Sequence, residues 1–279
     1  MRDAEGRLVQ WMPTARLPFD GPHYFGSHKD APAMLPVGDG DGAVVVRMDT
    51  IIFDGFYSFE TLRPLPNGGG WHATPLPKLP VGRMYENEVV FISAYFAVGT
   101  RVWISVTRKG TFSLDTAANG AGTWRVEGTW QLPFEGGALH VPELDSVIGL
   151  TVGSRLLCAC DVKIGSRPVI RHVWRETFPW HWEECISDGG HNPASRPRDM
   201  PSLAYLGKGK FCICRPMSTT EPRPFAPEHI KYNASSFLVV EVKRLQNGEL
   251  RLAKRGKTSY MWPPQGRQCP YIGLIQPAT

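Results

Sequence analysis

Two Cys-x-Cys pairs, Cys158–Cys160 and Cys212–Cys214, are the first residues in this chain whose spacing could do chemistry. On a strand, residues i and i+2 point to one face, so two such pairs could meet as a four-thiolate metal site. Zinc sites usually set two to four residues between paired cysteines, across a turn that brings both thiolates to one ion. Here the pairs lie among Leu, Ala, Phe and Ile, which predicts small buried thiols in a core. A second set of ligand types, His181, Glu183, Glu184, Cys185 and His191, falls in a Pro/Gly-rich loop over about residues 178–201. Its spacing matches no standard zinc site. No metal and no other cofactor is expected.

Four carboxylates, Glu60, Asp115, Asp161 and Glu241, recur at matching places along the chain. Paired carboxylates do acid–base work in glycoside hydrolysis. An acid that ends a strand also accepts hydrogen bonds from the following turn, and recurrence with the strand favours that structural use. The sequence holds no Gly-x-Ser-x-Gly elbow, no Walker A loop and no His-Glu-x-x-His. No catalytic residue is expected, and a carbohydrate-active enzyme is the alternative. A basic group, Lys243, Arg244, Arg251, Lys254, Arg255 and Lys257, crowds the C-terminal part. With Tyr260 and Trp262 near it, a weak nucleic-acid surface is a second alternative. An edge strand kept from aggregating by Lys and Arg explains the same residues.

The elements that must hold these residues are short. The 279 residues include 29 glycines and 25 prolines, about 19% of the chain, against about 12% in average usage. Such punctuation disfavours long helices and favours many strands and turns. Hydrophobic residues make up 42%, charged residues 20%, and the net charge is +5, an ordinary globular composition that only weakly favours a polyanion partner. Residues 1–42 are rich in Pro and Gly and read as an irregular, linker-like segment. Residues 43–262 carry the repeated strands, and 263–279 form a tail. No apolar core of a secretory signal follows Met1-Arg2-Asp3-Ala4-Glu5. No apolar run approaches the roughly 18 residues of a membrane span. The expected setting is reducing, cytoplasmic or nuclear, with Cys158, Cys160, Cys185, Cys212, Cys214 and Cys269 as free thiols.

The strands repeat. Tyr57-Ser58-Phe59-Glu60-Thr61 is echoed by Phe112-Ser113-Leu114-Asp115-Thr116; each is followed by a Trp (Trp71, Trp124) and then by Leu-Pro (Leu76-Pro77, Leu132-Pro133). One unit reads Val89–Val98, Arg101–Val106, Thr111–Thr116 and Trp124–Trp130. The next reads Ala138–Val141, Ser146–Val152, Leu156–Val162 and Val169–Arg175. The last reads Ser202–Gly207, Lys210–Arg215, Phe237–Arg244 and Leu250–Ala253. Four-stranded units repeating every 40–60 residues predict an all-β, β-propeller-like fold with about four recognisable blades, incomplete or closed by the termini. A large sandwich or barrel is the rival. Trp71 and Trp124 are expected to be buried at equivalent places between blades.

In their order, several of these runs resemble a family. They are Ser93–Gly99, Val102–Ser105, Gly110–Thr116, Trp130–Phe134, His140–Leu144, Leu157–Asp161, Leu206–Cys212 and Val240–Arg244. Together they resemble a grass-expanded family of uncharacterised, kelch-like plant proteins, a domain of unknown function, over roughly residues 43–260. The resemblance implies a propeller-like fold in an intracellular plant protein and supplies no catalytic residues. The function expected is a non-catalytic interaction module, monomeric, presenting loops 178–201 and 216–236 to a protein partner. Trp180, Trp182, Arg215, Arg223 and Phe225 are the residue types there that anchor interfaces.

Overall fold

The computed structural model describes residues 32–38, 43–52, 59–65, 70–81, 90–118, 122–163, 166–177, 201–221 and 230–262. They form strands joined by tight turns. Among them the helical segments are short 3-10 turns at Thr116–Ala118, Pro142–Leu144 and Arg175–Thr177. Among the described residues no helix is long and apolar enough to cross a membrane.

The strands fall into four successive meanders. The first is β1 (Pro32–Val37), β2 (Val44–Asp49), β4 (Phe59–Pro64) and β5 (Trp71–Pro75), hydrogen-bonded in that order. A two-residue strand, β3 (Ile51–Ile52), leaves it to pair with β6. The second is β6 (Val90–Val98), β7 (Arg101–Val106), β8 (Gly110–Asp115) and β9 (Arg125–Gly128). The third is β10 (Phe134–Val141), β11 (Ser146–Thr151), β12 (Leu157–Asp161) and β13 (Val169–Trp174). The fourth is β14 (Ser202–Gly207), β15 (Lys210–Glu221), β16 (Ile230–Arg244) and β17 (Leu250–Trp262).

The first strands of the meanders are neighbours. β6 and β10 pair in parallel at Ala94↔Gly136 and Tyr95↔Gly137, which joins the second and third meanders into one sheet. A Cβ on Gly137 would lie 3.0 Å from the Tyr95 ring, so the missing side chain permits the approach. β1 lies against β6 and β10 against β14, and the Gly38 N–H donates to the Gly99 carbonyl at 2.9 Å.

The core sits in the gaps between successive meanders. Leu35, Val46, Met48 and Phe59 meet Val102, Ile104, Phe112 and Leu114 between the first and second. Ala94, Phe96 and Trp103 meet Phe134, Val147, Cys158 and Cys160 between the second and third. Ile148, Leu157, Ala159 and Trp174 meet Phe211, Ile213, Val240 and Val242 between the third and fourth. The period of two explains this partition: on β12, Leu157 and Ala159 face one neighbour and Cys158 and Cys160 the other. Phe96 stacks on Trp103 with centroids 5.6 Å apart and meets the edge of Phe134 at 5.7 Å.

The link between the second and third meanders is held by hydroxyls. Thr111 Oγ1 donates to the Trp130 carbonyl at 2.7 Å, and the Leu132 N–H donates to Ser105 Oγ at 2.8 Å. Ser105 and Thr111 share a further bond of 2.7 Å. Ser105, Thr111 and Leu132 are buried, and each bond satisfies a donor or acceptor that would otherwise be costly there.

Three expectations change. β1 lies inside the segment expected to be irregular. It carries Pro32 and Pro36 but ends its sheet, where a missing N–H costs no ladder bond on the free side. The expected 216–236 loop is largely strand, because β15 and β16 stay in register from Lys210↔Glu241 to Glu221↔Ile230. β14 pairs only as far as Cys214, so Pro216 faces no third strand among the described residues. Trp71 and Trp124 are half-buried rather than buried. Trp124 packs against the first gap, edge-on to Phe59 at 5.1 Å, and its Nε1 donates to the Pro77 carbonyl at 2.8 Å. Among the described residues, the fully buried tryptophans are Trp103 and Trp174.

Candidate interaction surface

The two cysteine pairs face different surroundings. Cys158 and Cys160 lie between the second and third meanders with their sulfurs 3.9 Å apart. Cys212 and Cys214 alternate with Phe211 and Ile213, which face the third meander, and so sit on the far side of the fourth sheet. The pairs cannot converge on one ion. The hydrogen bond that the Cys160 thiol shares with Cys158, together with burial, raises its pKa, and burial pushes Cys212 up to about 11. The Cys160 and Cys212 thiols are therefore protonated at neutral pH and are weak nucleophiles. His181, Cys185 and His191 lie outside the described residues.

Each recurring carboxylate pairs with an arginine of its own sheet. Glu60 accepts from Arg47 on the second strand, and Asp161 from Arg171 on the fourth. Asp115 lies 3.5 Å from Arg101 and accepts from Thr100 Oγ1 at 2.8 Å and the Ala117 N–H at 3.1 Å. The Thr100 and Ala117 bonds hold its carboxyl below the usual carboxylate range. The turn-accepting role expected from sequence is thus found at Asp115, while an arginine takes the carboxylates of Glu60, Asp161 and Glu241.

Of the five expected anchors, Trp180, Trp182, Arg223 and Phe225 lie outside the described residues. Arg215 is 4% exposed. It shares a face with Phe211 and Ile213 and points into the gap with the third meander. Its Nη2 donates to the carbonyls of Arg155 and Thr177, each at 3.0 Å. Thr177 in turn bonds the Trp174 carbonyl at 2.6 Å and receives the Leu157 N–H at 3.0 Å. Burial, with the Arg155 charge, lowers the guanidinium to about 10, so it stays protonated at neutral pH. Arg215 is therefore a clamp between two meanders and offers no surface to a partner.

The outward face of the fourth sheet is different. Val240, Val242, Leu250 and Leu252 face the third meander; Glu241, Lys243 and Arg251 therefore face away. Register places Lys210 beside Glu241 and Lys243 beside Arg251. Glu241 is the one carboxylate in this group. It accepts from Arg255 Nε at 2.7 Å and lies 3.4 Å from Lys243 Nζ. The Arg255 hydrogen bond, with the charges of Arg255 and Lys243, holds it below the usual range. The Lys243 and Arg255 side chains remain 63% and 49% exposed. No residue of this face belongs to a core cluster of the described residues. Sequence reading found Lys243, Arg251 and Arg255 but missed Lys210. Only strand pairing brings Lys210 across to Glu241.

The chain matches no curated protein and no solved structure. The model of a family described as a protein of unknown function, DUF1668, matches residues 3–260, so the chain belongs to that family.

Proposed function

We propose that the chain is a non-catalytic, kelch-like β-propeller interaction module of a plant cell, working as a monomer in the cytoplasm or nucleus and engaging a protein partner. The propeller reading is supported by four consecutive meanders whose first strands, β1, β6, β10 and β14, neighbour one another in that order. The non-catalytic reading is supported by the pairing of all four recurring carboxylates with arginines. A general acid or nucleophile would need one of them unpaired and facing substrate. The observation that carries the interaction role is the outward face of the fourth sheet, where exposed cations exceed carboxylates and no other described sheet packs.

The test is affinity capture with the full-length chain from plant tissue, followed by calorimetry on the purified pair. One captured protein should bind the chain directly with a defined stoichiometry. Turnover of an oligosaccharide panel by the purified chain, or failure of every captured protein to bind once pure, overturns the reading.

A further inference from the structure

The cations on the outward face of the fourth sheet are placed at a cost. Lys243 and Arg251 are cross-strand partners in register. Directly opposed like charges on one face of a sheet destabilise it. Lys210 lies across from Glu241, whose carboxylate is already taken by Arg255 and Lys243. Lys210, Lys243, Arg251 and Arg255 thus share one carboxylate.

Edge protection accounts for Arg251 and Arg255, which lie on the edge strand, but not for the other two cations. Lysines that keep an edge from aggregating belong on the edge strand, and β17 is that strand. Lys210 is on β15 and Lys243 on β16, both interior strands. Their position fits attraction of an anion across the sheet. Neighbouring strands are about 4.8 Å apart, so four cations on three strands span about 10 Å. That width suits one or two carboxylates. A nucleic-acid groove needs a longer basic track with bases stacked on aromatics. Beside the cations the same face carries Cys212 and the half-buried Val239, which suits a chain of mixed acidic and apolar side chains.

We propose that the outward face of the β14–β17 sheet, centred on Lys210, Lys243, Arg251 and Arg255, docks an extended acidic segment of a partner protein. This rests on the interaction-module reading and adds the partner's chemistry. Carboxylates spaced two residues apart along an extended segment lie on one side of it and meet the cation rows.

The probe is a fluorescein-labelled 12-residue peptide alternating Glu and Thr, titrated with the full-length chain by anisotropy. Saturable binding is expected, with affinity falling about tenfold or more between 50 and 300 mM salt as screening grows. A Lys243→Glu, Arg251→Glu double variant should lose binding at least tenfold. The milder Lys243→Gln, Arg251→Gln pair should weaken it and leave the thermal midpoint within a few degrees, which separates lost binding from lost folding. A peptide alternating Lys and Thr should not bind. Equal or tighter binding of a 12-nucleotide oligothymidine overturns the proposal in favour of nucleic acid, and absence of peptide binding overturns it outright. A captured partner that binds the double Glu variant as well as the native chain removes this surface and leaves the interaction-module reading intact.

Discussion

Arg215 shows how one residue type serves two opposite ends. Arginine is enriched at interface centres because it combines a long apolar stem with a planar fork of donors. The same features make it a clamp when the fork meets backbone carbonyls inside the fold. Here the carbonyls of Arg155 and Thr177 belong to two turns of the third meander, while the arginine belongs to the fourth. Truncation leaves both acceptors without this donor and opens a cavity. Arg215→Ala should therefore lower unfolding free energy by about 2–4 kcal/mol. Lysine has one ammonium in place of the fork, so Arg215→Lys should recover only part of it. The guanidinium stays charged in both states well above neutrality, since even the lowered value is about 10. The loss should thus be flat between pH 6 and 8. Denaturant midpoints across that range check both points, and an Arg215→Ala midpoint equal to that of the native chain would refute the clamp. Sequence could not separate clamp from anchor here, because the distinction lies in what Thr177 and Arg155 do some 40 and 60 positions earlier.

At the scale of elements, the second and third meanders were legible strand by strand, although β9 is shorter and β10 four residues longer than expected. Their strands alternate tightly, are rich in Val, Ile and aromatics, and are bounded by turns with left-handed residues such as Gly99, Asp145 and Gly153. β1 was not legible, since two prolines outweigh a six-residue pattern unless its edge position is known. The long hairpin of the fourth meander was not legible for a related reason: Pro216 reads as a break, and only the early end of β14 makes it harmless. The β14–β15 turn gives a sharper test. Gly207, Lys208 and Gly209 all have positive φ, at 86°, 53° and 68°. A Cβ on Gly207 would meet nothing within 4 Å, whereas one on Gly209 would lie 2.2 Å from the Val242 carbonyl oxygen. The Gly209 carbonyl also receives the Val242 N–H at 2.8 Å, so the two backbones cannot easily part. Gly207→Ala should cost only the left-handed strain, about 1 kcal/mol. Gly209→Ala adds a backbone clash beside the pair of rows that carries Lys210 and Lys243, and should cost at least about 2 kcal/mol more. Equal midpoints for the two variants would show that this close approach does not exist.

For the whole molecule, the decisive feature is that the core is divided among gaps. The second and third meanders are covered on both faces by neighbouring sheets; the first and fourth are covered by a described sheet on one face. Protection of backbone amides against exchange follows burial and cooperative packing. β7, β8, β11 and β12 are buried at nearly every position. β5, β9, β13 and β14 are mostly exposed or half-buried. A single merged core would protect strands according to their depth in one globule. Stacked sheets instead predict a gradient within every meander, with the middle strands slowest, and a second gradient between meanders, with the second and third slower than the first and fourth. Native-state hydrogen exchange should find β11 and β12 exchanging only by global opening, and β13 exchanging by local opening although it shares their sheet. Phe134→Ala, in the gap between the second and third meanders, should cost about 3–5 kcal/mol and speed exchange in β7, β11 and β12 together. If it instead accelerates only β10, the gap is not a cooperative unit and the meanders behave as separate modules.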